Sequence, residues 1–292
     1  MPLEGFHLAV ERIIAETLGD RGFALGGGYG LQAHGIVDRP SQDLDSYSDK
    51  MDAGLFEAAG RDLTERFGAA GLAAETIKTD TWFRAIVVTE PTTKERLVVD
   101  LGYDYRQNPP VHVNGVGPVL DVEDIVTGKV RAFWTRGAER DFYDIDGILA
   151  SDKWTIQNLY DKIAGLRPDE ICSGVLSKKS FAAKLSSGHR LDPDEFAALG
   201  ISLPDLRKVQ GRLSNAGAAL AREDVAFRPR ERSIVSRARE WKARRRPQAR
   251  AKPRSRSARV ASPLPSIRCG GRAKARRPCI LRAGHRGYHR GR

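Results

Sequence analysis

The chain has 292 residues, 40% of them hydrophobic, and a net charge of +12. That length and apolar share suffice for one large domain or two modest ones with a real core, and no run approaches the apolar length of a membrane span. The charge is uneven: residues 228–292 hold 23 of the 49 Lys and Arg but 2 of the 37 Asp and Glu, a net of +21, so residues 1–227 carry −9. An acidic body thus adjoins a basic tail.

In chain order, Leu3–Leu18 has helical spacing of Leu3, Phe6, Val10, Ile13, Ile14 and Leu18. Its acidic residues and the lack of a cleavage site argue against a signal peptide. Phe23–Leu25 is a short strand entering Gly26-Gly27-Gly28, and Tyr29–His34 begins the next helix. Leu44–Tyr47 is a strand and Ala53–Phe67 a helix ending near Gly68. Phe83–Val88 and Arg96–Leu101 are strands joined by a turn at Pro91-Thr92-Thr93. Helices follow at 122–134, 140–149, 155–164, 178–185, 193–198 and 203–222. Strands mixed with helices, then helices alone, predict an α+β catalytic half, 1–150, and a helical part, 151–227. The tail, 228–292, is rich in Arg, Lys, Ala, Ser and Pro and is expected to be disordered, with a short helix possible at 234–241.

The most informative stretch is GGGYGLQAHGIVDRPSQDLD, residues 26–45. Asp43 and Asp45 stand at i and i+2 of a strand, so they share a face. Two carboxylates that close call for a cation. Gly27 and Gly28 let backbone approach a phosphate. Nucleotide transfer from a triphosphate needs these parts: carboxylates for a divalent metal, bare backbone, and a cation for the leaving pyrophosphate. Asp100, closing the apolar run RLVVDL, is the expected third carboxylate, with Asp104 the alternative. The bland readings are a simple glycine turn, an exposed Asp-Leu-Asp, a solvent-facing Asp100, a solvated Lys129, and Asp141 and Asp144 paired with Arg140 or Arg136 on a helix surface. Trp82, Trp134 and Trp154 read as core, His34 as packing at a helix end, and Arg84 as facing either water or the cleft. Cys172, Cys269 and Cys279 make no disulfide framework, and the latter two with His285 and His289 are too widely spaced for zinc. A cytoplasmic protein is expected.

GGYGLQAHGIVDRPSQDLDSYS resembles the core motif of the AbiEii/AbiGii-type nucleotidyltransferase toxins, the catalytic partners in type IV toxin–antitoxin and phage-defence systems. The matching positions are Gly27, Gly28, Arg39, Ser41, Asp43 and Asp45. EDIVTGKVRAFWTRGAERDFYDIDGIL resembles the second motif, through Lys129, Arg136, Arg140, Asp141 and Asp144. The resemblance covers roughly residues 20–150, about half the chain. It implies a DNA polymerase β-type nucleotidyltransferase core with a helical C-terminal part, Mg²⁺, a nucleoside triphosphate (NTP) donor, often a tRNA acceptor, and a cognate antitoxin. Asp43 and Asp45, with Asp100 as read from its strand, are the expected metal and catalytic residues, and the resemblance adds Lys129 and Asp141 as catalytic residues acting on the triphosphate or positioning the nucleotide or Lys129. Gly27, Gly28, Arg39, Ser41 and Arg136 are the nucleotide-binding set. Tyr29 departs from the family pattern, which has Ser or Thr after the glycine pair. The alternatives are a small-molecule transferase of the aminoglycoside-modifying kind, which suits the acidic body, and a catalytically silent nucleotide- or RNA-binding module.

Overall fold

The structure is a computed structural model describing residues 5–41, 43–166 and 176–226, side chains at 189 and 223–226 excepted. The tail, with the disorder and the short helix expected there, and Cys172, Cys269, Cys279, His285 and His289, lie outside the described residues. Seven strands form one mixed sheet: β1 Ala24–Leu25, β2 Asp43–Ser48, β3 Ala73–Asp80, β4 Phe83–Thr89, β5 Arg96–Tyr103, β6 Val111–Val113 and β7 Gly117–Val119. Their order is β3-β4-β5-β2-β1-β7-β6. β2 runs parallel to β5 and β1 parallel to β7, while the other neighbours are antiparallel.

Period-two alternation splits the sheet into two faces. Leu44, Ser46, Ser48, Ile86, Val88, Leu97, Val99 and Leu101 are buried on one. Arg84 belongs to this face, its stem lying beside Gly60 of helix α3, so it serves neither water nor the opposite cleft. α1 (Gly5–Leu18) and α3 (Ala53–Ala69) pack against each other. α1 buries Val10, Ile14 and Leu18 at four-residue spacing. α3 starts where Asp52 accepts a hydrogen bond from Leu55 N and buries Phe56, Leu63 and Phe67. Each such aromatic contributes about 1.5–3 kcal/mol by leaving water.

The other face carries Asp43, Asp45, Tyr47, Asp100 and Gly102. Two helices frame it: α2 (Gly27–Ala33) and α4 (Val122–Thr135). Gly30 allows their close approach, since a Cβ there would meet Ile125 Cδ1 at 2.8 Å. α4 buries Ile125, Val126, Val130, Phe133 and Trp134, and α5 (Glu139–Ala150) packs on it. α6 (Ile156–Ala164), α7 (Lys178–Ser186), α8 (Pro193–Ala198) and α9 (Leu203–Ala226) complete the helical part. Phe133 contacts both Phe142 and Phe181, at ring centroid distances of 5.0 and 5.5 Å, so the apolar core runs unbroken across residue 150. The described side chains all lie in one compact unit ending at Asp224. The architecture is the expected α+β half with a mixed sheet, followed by helices.

Candidate active site

The parallel pairing of β2 with β5 sets Asp45 directly opposite Asp100, with Asp43 opposite Val98. Three carboxylates from segments far apart in sequence therefore meet on one sheet face. Asp104, the alternative third acid, is instead held by Arg131 at 2.6 Å.

The glycine turn is fitted to this face. Gly26 N donates to Asp45 O at 2.8 Å, tying the turn to β2. Gly27 has φ +58°, and a Cβ there would lie 1.8 Å from Asp45 Oδ2, so only glycine fits. A Cβ on Gly28 would meet Ser41 Oγ at 2.7 Å.

The electrostatics of the three acids differ. Burial, then repulsion from Asp43, pushes Asp45 up to about 6, against a hydrogen bond from Tyr47 Oη at 3.0 Å. Burial, then Asp45 and Asp43, pushes Asp100 up to about 7. Burial would raise Asp43 too, but Arg140, Lys129, the Ser41 hydroxyl and Arg39 outweigh it and hold its carboxyl down. Asp100 Oδ1 is buried with no hydrogen-bond partner. A carboxylate oxygen left so, beside two further acids, fits a cation as its missing partner. The donor set is all oxygen, as Mg²⁺ requires. Among the described residues, no three His, Cys, Asp or Glu side chains stand already drawn together as a closed metal site.

The nucleotide-binding expectations sort into two groups. Gly27 and Gly28 line the face. Ser41 is buried and donates to Asp43 Oδ1 at 3.0 Å, orienting that acid. Arg39 is 2% exposed, and its Nε and one Nη hold both oxygens of Asp144 at 2.7 and 2.8 Å. That guanidinium is engaged inside the protein, on a carboxylate of the second motif. Asp144 is 0% exposed and also takes Lys129 Nζ at 2.8 Å. Lys129, at 11% exposed, is no solvated helix charge. Burial opposes the charge on Asp144, yet Lys129 and Arg39 together keep its carboxyl below its usual range.

Asp141, expected to position the nucleotide or Lys129 or else to pair with Arg140 or Arg136, makes the Arg136 pair. It accepts from Arg136 Nε and Nη at 3.0 and 2.6 Å and from Ala138 N at 2.9 Å, capping α5. Sequence reasoning gave no role to two residues of the site. Arg140 reaches Asp43 Oδ2 at 3.4 Å across 97 positions, and Asp144 is the shared anchor just described. Both stand in the second motif, the signal that marked them.

Tyr29 is buried, and its hydroxyl donates to Ser41 O at 3.1 Å and contacts His7 Nδ1. The residue in the family's small position therefore braces the Ser41 segment. His34 Nε2 meets Leu120 O at 2.9 Å at the end of α2, as a packing residue. Trp134 and Trp154 are core, and Trp82 is half-buried against Tyr103.

Comparison with known proteins puts the chain among the nucleotidyltransferases. Its residues 9–258 match the family described as nucleotidyl transferase AbiEii toxin of type IV toxin–antitoxin systems, and the chain belongs to that family. The match extends well beyond residues 20–150, where the motifs lie. Among solved structures, JHP933 from Helicobacter pylori aligns with a TM-score of 0.48 at 18% identity, covering 82% of this chain and 97% of that one. MenT4, a nucleotidyltransferase toxin from Mycobacterium tuberculosis H37Rv, aligns with a TM-score of 0.46 at 17% identity, covering 79% and 90%. No curated protein matches the chain.

Proposed function

We propose that this protein is a Mg²⁺-dependent transferase that moves a nucleoside monophosphate from an NTP to a hydroxyl at an RNA 3′ end, such as that of tRNA. The observation that carries the reading is the meeting of Asp43, Asp45 and Asp100 beside a glycine that Asp45 leaves no room to replace. Asp43, Asp45 and Asp100 would hold the cation. When bound, it supplies charge neutralisation at the triphosphate and at the attacking oxygen.

The chain's own groups divide the remaining work. The glycine turn admits the phosphates. Lys129, fixed by Asp144, faces the leaving pyrophosphate, and Arg140 joins it from Asp43. The acceptor oxygen forms a bond to the α-phosphorus as the bond to the β-phosphate oxygen breaks and pyrophosphate leaves. Asp100, raised to about 7, takes the hydroxyl proton. Arg39, Ser41, Asp141 and Arg136 position these groups rather than touch substrate.

Family membership supports a toxin role with a cognate antitoxin protein and a nucleotide substrate. Such substrates put the work in the cytoplasm on this reading. Among the described residues, no helix is long and apolar enough to cross a membrane. The test is label transfer from an α-labelled NTP to RNA with Mg²⁺. Wild type should label RNA, and the pair Asp43→Ala with Asp45→Ala should lose it by about a hundredfold or more. Equal labelling by both proteins would refute the reading.

A further inference from the structure

We propose that Lys78 and Phe83, on the edge hairpin β3–β4, form the seat for the acceptor's 3′ end, stacking a base on the Phe83 ring and holding the adjoining phosphate at Lys78. This deepens the transferase reading and rests on it for the identity of the acceptor.

The sheet register lays out a row. Asp45 of β2 faces Asp100 of β5, Asp100 faces Ala85 of β4, and Ala85 faces Lys78 of β3. At ~4.8 Å per strand, Lys78 stands about 10 Å from Asp100 between Cα atoms. The one residue between them, Ala85, is small enough to leave the path low. The glycine turn closes the other end of the row, beside Asp45. Donor phosphates at one end leave the Asp100 side for the acceptor.

A bulge makes the row possible. The β3–β4 register shifts between Thr76 and Lys78. In a regular ladder Ile77 would stand opposite Ala85, and Lys78 would turn to the α3 face with Arg84. The extra residue turns Lys78 to the carboxylate face instead, as bulges beside active sites do. The field of its ammonium reaches Asp100.

Phe83 is on the same face. It pairs with Gly102, where a Cβ would lie 3.1 Å from Tyr47 Cε1 and 3.8 Å from Phe83 Cδ2. Gly102 thus leaves space that two rings flank. Lys78 Nζ lies 5.0 Å from the Phe83 ring centroid, so cation and ring act as one patch. Lys78 is exposed and Phe83 half-buried. Asp80, opposite Phe83, is tied into the turn by Thr81 N at 2.7 Å. A ring beside an exposed cation is the equipment for single-stranded nucleic acid, where bases stack and phosphates pair. A cationic drug acceptor would be repelled by Lys78.

The probe is a short single-stranded oligoribonucleotide with a free 3′ end, bound to the full-length protein at raised salt to suppress contacts with the Arg-rich tail. Phe83→Ala should weaken binding about tenfold and raise the acceptor KM alike, and Phe83→Trp should restore both. Lys78→Ala should also weaken binding and lower the salt slope by about one. NTP affinity, measured by calorimetry, should stay at the wild-type value in every variant, which also certifies folding. Wild-type oligonucleotide affinity and KM in both alanine variants would overturn the seat while leaving the transferase reading intact. Binding that depends on both residues without any transfer by wild type would sustain the seat and sink the transferase reading.

Discussion

Asp100 is held at a cost. Its folded carboxyl is raised to about 7 from an ordinary 3.8, so the native state binds the proton more tightly than the unfolded chain does. Stability is therefore lost as pH rises from about 4 towards about 7, and stays low above that. In chelator at pH 8, Asp100→Asn should melt higher than wild type, by on the order of 2 kcal/mol, with little difference at pH 4. The same variant should lose transfer activity. A lower Tm for Asp100→Asn at pH 8 would contradict this account. Asp43 and Asp45 were legible from their spacing, because a strand allows them only one shared face. Their supporting groups were not. Arg140 meets Asp43 over 97 positions, and Arg39 meets Asp144 over 105. Sequence spacing carries no information about such pairs. It marked Arg39 as a cation but not that burial would turn it inward.

Among the elements, those with a strong apolar period were readable and those without were not. α3, α4 and β5 bury a regular stripe or alternate set, and their spans matched expectation closely. β3 is an edge strand of sequence AAETIKTD, exposed along most of its length, so no hydrophobic alternation announces it. β6 and β7 have three residues each, too few for any period. α1 contains a different surprise. Glu11 is buried in it, with Oε2 lacking a hydrogen-bond partner, and burial lifts its carboxyl to about 8. The sign is as for Asp100: stability drains away as pH rises from about 4.5 to about 8. Glu11→Gln should raise thermal stability above pH 8 by on the order of 3 kcal/mol and leave it near wild type at pH 4.5. Melting curves across that range decide it. A pH-independent difference would place the effect in packing instead.

At the scale of the whole molecule, the charge asymmetry predicts a division of labour. Residues 1–227 carry −9 and would repel RNA at long range, while residues 228–292 carry +21. A chain ending at residue 227 should bind NTP as the full chain does. Its KM for RNA should rise and its salt dependence should flatten. Transfer to a small cationic acceptor, if any, should be unchanged. An unaltered salt slope would remove the tail from acceptor binding. The division at residue 150, by contrast, is a sequence proposal that cuts across a shared core, where Phe133 meets Phe181. The anchoring of Lys129 and Arg39 on Asp144 has a consequence for how a harmful enzyme is made. Synthesis delivers all three clustered acids by residue 100, but the residues that brace Asp43 and fix Lys129 come only at 140 and 144. A product broken off in that interval holds the carboxylates without Arg140 and without the Asp144 anchor for Lys129 and Arg39. Nearly half the chain is thus made before the cluster around Asp43 can be completed.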